Sequence, residues 1–153
     1  MSAEQLLDAI NHATGLEEKL ANLPAGTKAT QLPAPDLVKL DFLKVFGQPE
    51  RSTVCACERA DDSNLGMAIE LFNGPTIHKK LQQSDNRFRT ALEQKKTPPE
   101  IVDQLYLAAV CRLPTEFERK AALEHCSKRE TPADGLADVC WALLNTDEFI
   151  FQH

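Results

Sequence analysis

Thr97-Pro98-Pro99-Glu100, Thr115-Glu116-Phe117-Glu118 and Thr131-Pro132-Ala133-Asp134 punctuate the last third of the chain. Each places a threonine ahead of an apolar run with an acidic residue three positions on, and two of them put proline in the first turn. This is the signature of a capped helix start. Ile101, Leu105 and Ala108 follow the first start, and Phe117, Ala121 and Leu123 the second. Leu136, Val139, Cys140, Leu143 and Leu144 follow the third. Each cap stabilises its helix by about 1 kcal/mol, but the spacing is the stronger message. Starts at 97, 115 and 131 leave room only for short helices and tight turns, so neighbours pack antiparallel. Tyr106 and Trp141 fall on predicted inward faces and read as core anchors. Asn145-Thr146 then closes one helix and opens a last turn with Phe149 and Phe151.

Working back toward the start, Phe88 and Leu92 mark one amphipathic stretch, and Pro75 opens another with Ile77 and Leu81 inward. Ser63 caps a helix with Leu65, Ile69 and Phe72 on one face, ended by Asn73-Gly74-Pro75. Asp36 caps a helix carrying Leu37, Leu40, Leu43 and Phe46, stopped by Gly47 and Pro49. Ser2 and Gln5 form a capping box for a helix over about residues 3–13. Between these lie two irregular loops, 14–35 with its Gly and Pro breakers and the polar 48–62. Alternating patterns are nearly absent; Thr53-Val54 is too short to build a sheet. The expected fold is all-α: a single helical domain over 1–153, a compact bundle of short antiparallel helices with two long irregular loops.

Composition sets the outer bounds. With 153 residues, 42% hydrophobic and 26% charged, the chain suits one globular domain. The net charge of −6 comes without a basic stripe, which argues against nucleic acid as a partner. Lys79-Lys80 and Lys95-Lys96 read as solvated helix surface. No apolar run is long enough to span a bilayer, and Met1-Ser2-Ala3-Glu4 lacks the basic and apolar regions of a secretory signal. Alone this suggests a cytoplasmic chain, or equally the later part of a longer exported one.

Five cysteines cannot all pair within one chain. Cys111, Cys126 and Cys140 sit among apolar residues and read as small buried thiols, with a Cys126–Cys140 bridge as the alternative. Cys55-Ala-Cys57-Glu-Arg59 is different, because two cysteines one residue apart beside a charge pair suit core packing poorly. A closed zinc site needs four ligands, usually from two pairs, and only one pair is present. His78, Cys111 or His125 would have to complete it through tertiary structure. A structural role leads for Cys55 and Cys57, with a disulfide, metal or redox site behind it. Glu58 and Arg59 read as a charge pair anchoring the loop, and Asp61-Asp62 as favourable charges ahead of a helix. The four histidines, at 12, 78, 125 and 153, fall in no metalloprotease frame, and no glycine-rich phosphate loop or hydrolase elbow exists. Pairing of Cys57 with His78 or His125 as a nucleophile is a minor alternative. No residue is assigned a catalytic role and no cofactor is expected in this chain.

Several stretches together resemble the C-terminal, PSD-type domain of a large family of exported planctomycete proteins. They are 2–10 (SAEQLLDAI), 42–47 (FLKVFG), 55–59 (CACER), 71–76 (LFNGPT), 105–109 (LYLAA) and 141–149 (WALLNTDEF), in family order. Ala56 stands where relatives often carry an acidic residue, and Val110-Cys111-Arg112-Leu113 is unusual ahead of Pro114. The resemblance implies the later part of a larger domain of unknown function, in proteins that also carry cytochrome-c-like modules. Haem would belong to those upstream modules, and the parent would be exported or held in the cell envelope. The implied partners are other domains of a longer parent chain or another envelope protein. On this reading the chain is a non-catalytic helical module with 14–35 and 48–62 in the contact, which predicts an exposed apolar patch. The alternatives are a metal or redox site at Cys55 and Cys57, or part of an envelope polysaccharide hydrolase using Glu58, Asp61 or Asp62.

Overall fold

Helix α1 (Ala3–Thr14) begins where expected, with the Ser2 N–H donating to Gln5 Oε1 at 2.8 Å. A computed structural model describes residues 1–20, 23, 24, 26–32, 40–47 and 65–151. Within these residues every regular element is helical. After α1 come a 3-10 turn at Ala29–Gln31, then α2 (Asp41–Val45), α3 (Leu65–Asn73), α4 (Pro75–Gln82) and α5 (Arg87–Glu93). The last third gives α6 (Pro98–Val110), α7 (Glu116–Ser127), α8 (Pro132–Leu144) and the short α9 (Asp147–Phe151).

The three threonine starts behave as capping chemistry requires. Thr97 and Thr115 donate their N–H groups to Glu100 and Glu118 at 2.8 and 2.7 Å, and the Asp134 N–H donates to Thr131 Oγ1 at 3.2 Å. Pairing across the turns is antiparallel. Arg119 reaches back to Asp103 on α6 at 2.8 Å, while Arg112 meets Glu118 and Asp138 on α8 meets His125 on α7. Helix α8 lies at the centre, packed on α1, α4, α5, α6 and α7. Leu136, Val139, Cys140, Leu143 and Leu144 from it join Leu7, Ile10, Phe88, Ile101 and Leu105 in one continuous apolar core.

Four expectations change. Leu40 has extended backbone and only precedes α2, so the described part of that helix starts at Asp41. With no side-chain cap, it is held by burial of Phe42 and Leu43. On α3 it is Leu71 that faces inward, while Ile69 and Phe72 are exposed. That helix is apolar nearly all round, so its periodicity does not select a face. On α7, Phe117 and Ala121 point to solvent, and the inner stripe is Ala122 and Cys126. Small residues are needed there because α7 and α8 nearly touch: a Cβ on Gly135 would lie 2.6 Å from the Cys126 Cα. Finally, Phe149 is buried under α9 but Phe151 is exposed.

The described part of the 14–35 connection is pinned to the core at a few positions and is exposed over most of the rest. Gly15 ends α1 at φ 74°, a left-handed conformation that glycine adopts without strain, with Arg87 packed against it. Leu16, Leu20 and Ala29 are buried. The Asp8 carboxylate accepts the Ala29 and Thr30 N–H groups at 2.8 and 3.0 Å. Lys80, expected on solvated surface, is only 4% exposed. Its ammonium donates to Glu18 at 2.8 Å and to the Leu16 carbonyl at 3.3 Å, tying the connection to α4.

Candidate functional site

Cys55, Cys57, Glu58, Arg59, Asp61 and Asp62 lie outside the described residues, as do the cap at Asp36, the cap at Ser63 and the whole 48–62 loop. Among the described residues, no three His, Cys, Asp or Glu side chains gather as a metal site would require. Cys126 and Cys140 are free and buried, as expected, and do not bridge; Cys111 is also free but exposed, against expectation. It closes α6 with φ 56°, which turns its side chain away from the core. Burial pushes the Cys140 thiol up to about 12 and raises that of Cys126, assisted there by Asp138. Both stay protonated and unreactive at neutral pH.

Two charge clusters hold α7 in place. In the first, Arg112 donates to both oxygens of Glu118 at 2.7 and 2.9 Å and to both oxygens of Glu148 at 2.8 and 2.9 Å. Its guanidinium lies 5.5 Å from the Tyr106 ring centroid. The arginine joins the α6–α7 turn to the start of α7 and to α9. Its hydrogen bonds hold the Glu118 carboxyl at about 2 and lower that of Glu148 as well. A glycosidase pair needs one carboxyl kept protonated as the acid; here both are held ionised. The second cluster is Asp138, whose Oδ2 lies 2.7 Å from His125 Nε2 and 2.8 Å from Arg129 Nε. Among the described residues no hydroxyl or thiol hydrogen-bonds to His125.

Between these clusters lies a groove of about 440 Å³ lined by Tyr106, Ala122, His125, Asp138, Val139, Trp141, Ala142, Leu143 and Thr146. Trp141, expected in the core, is 37% exposed, whereas Tyr106 is buried as expected. The indole Nε1 donates to the Phe72 carbonyl at 3.1 Å, and the two rings sit 5.9 Å apart, tilted at 55°. Phe72 is nevertheless 51% exposed, and Ile69, three residues earlier on α3, is also exposed. Phe72 and Trp141 thus extend the apolar side of the groove onto α3. A second cleft, of about 1100 Å³ between α1, α2 and α4, is lined by mixed charges including Glu18, Glu70, Asp85 and the buried Lys80.

Residues 1–126 match a family model described as PSD1, a protein of unknown function (DUF1553). The chain belongs to the PSD1 family. No curated protein and no solved structure matches it. The PSD1 match ends at Cys126 inside α7, yet α8 supplies the centre of the core and one side of the groove. The groove is not visible in the sequence, because Tyr106, Val139, Trp141 and Leu143 read there as core. Nor is the burial of Lys80, although Ile77 and Leu81 three before and one after it mark the inward face of α4. No helix among the described residues is long and apolar enough to cross a membrane.

Proposed function

We propose that this chain is a non-catalytic helical module that packs against another folded domain of a longer parent chain. The single observation that carries the reading is the Phe72–Trp141 contact, two large aromatic rings fixed against each other and still open to solvent. Contiguous exposed apolar surface of this kind marks a docking face, and aromatic residues are enriched at such faces. The resemblance to exported planctomycete proteins supplies the class of parent: an envelope protein whose haem stays with its cytochrome-c-like modules.

Residue-level oxidative footprinting tests the proposal. The chain is compared alone and mixed with the separately produced remainder of a longer PSD1-family protein. Phe72 and Trp141 should lose much of their oxidation in the mixture, while the exposed Phe117 keeps its own. Equal oxidation of Phe72 and Trp141 in both samples removes the reading.

A further inference from the structure

The groove beside Trp141 also specifies the kind of segment that fills it, and this inference rests on the docking reading above. Several of its polar groups are already committed internally, and those left over are side-chain atoms of Tyr106, His125 and Asp138 rather than a row of backbone groups. Trp141 Nε1 donates to the Phe72 carbonyl, the Thr146 hydroxyl donates to the Leu143 carbonyl at 2.7 Å, and Asp138 holds both His125 and Arg129. The walls are helices whose backbone groups bond within each helix, and among the described residues no sheet edge borders them. An extended peptide laid here would bury N–H and C=O groups without partners, at a cost comparable to a lost hydrogen bond for each. A helix carries its own backbone bonds and presents only side chains.

Charge narrows the occupant further. At the Tyr106 end a single guanidinium faces two carboxylates, which leaves one negative charge in excess. The chain as a whole carries −6. We infer that the groove between α7 and α8 receives an amphipathic helix of the partner domain, its apolar ridge on Val139, Ala142 and Leu143 and a Lys or Arg beside Glu118 and Glu148.

Trp141 is the only tryptophan in the chain, so its emission reports on the groove directly. The probe is an amphipathic Leu/Lys peptide of about 15 residues without aromatics, long enough to become helical when held. The expected result is a saturable blue shift of Trp141. A Leu/Glu twin should bind more weakly, and a proline-interrupted twin should not bind. Ala142 is exposed, so filling the groove there spares the core. Ala142→Lys should weaken the Leu/Lys peptide at least about tenfold through bulk and repulsion, and Ala142→Gln by less, with helical circular dichroism unchanged in both. The inference is overturned if the proline-interrupted twin binds equally, if both Ala142 variants bind as wild type does, or if no peptide shifts Trp141. Should footprinting protect Phe72 and Trp141 while the Leu/Lys peptide gives no shift, the docking reading stands and the helical occupant is lost. Unchanged footprints remove the docking reading whatever the peptide does.

Discussion

The α6–α8 hairpins and the connection that follows α1 are built on opposite plans. In α6–α8 each helix is announced by its own cap, and the polar contacts joining neighbours lie close to the turns, as Arg112–Glu118 and His125–Asp138 do. The described part of the connection has one 3-10 turn and a few isolated turn hydrogen bonds. Its path is dictated from a distance: Asp8 on α1 accepts from Ala29 and Thr30, Lys80 on α4 donates to the Leu16 carbonyl, and Arg87 on α5 packs against Gly15. Local redundancy makes the first region tolerant of single losses, whereas the second depends on a few remote side chains.

The sharpest way to break this contrast is at Lys80. Lys80→Ala should cost about 2–4 kcal/mol, below the full price of an orphaned buried charge because Glu18 reaches water. Lys80→Met, which keeps the volume, should recover more than half in urea titrations. Hydrogen exchange should quicken at Leu16 and Leu20 but not in α7. Equal losses for both variants would mean that the ion pair, not the filled space, dominates.

Next in size is Gly135→Ala, placed where α7 and α8 nearly touch. The added methyl meets backbone at Cys126, which cannot swing aside, so about 1–3 kcal/mol should be lost. A melting point equal to that of wild type would show that the two helices separate easily.

The Arg112 cluster sets a pH dependence. The Glu118 carboxyl is held at about 2 in the folded chain, against an ordinary value of about 4.3 when unfolded. Its contribution is therefore present above about pH 5 and is lost as pH falls toward 2. In Glu118→Gln the stability curve over that window should flatten, while little changes in slope between pH 6 and 8. An unaltered acid limb in the variant would assign the slope to other carboxyls.

Smallest is the loss of a cap. Thr131→Ala should cost about 1 kcal/mol, seen as faster exchange confined to the first turn of α8. Spread of that effect into the connection would erase the distinction between the two regions.

The same distinction explains what could be read from residues alone. Caps at Ser2, Thr97, Thr115 and Thr131 are local events written within four residues, and all four helices begin there. The inward face of α4 is legible from Ile77 and Leu81, but the charge of Lys80 between them points to solvent. Its partner Glu18 lies 62 positions away, a pairing no periodicity reveals. Trp141 was read as core for its size, whereas the bond from its indole to Phe72 depends on α3 meeting α8. The groove is tertiary in the same sense, since its lining comes from three helices. For Cys55, Cys57, Glu58 and Arg59 the sequence reading stands by itself.

Cys111 closes α6 with a backbone torsion of 56°, in a region where a side-chain-bearing residue is strained by about 1 kcal/mol. Glycine would adopt that torsion freely, so Cys111→Gly is a place to engineer a sturdier variant while discarding an oxidisable sulfur. That strain at a helix terminus leaves room for a more stable chain.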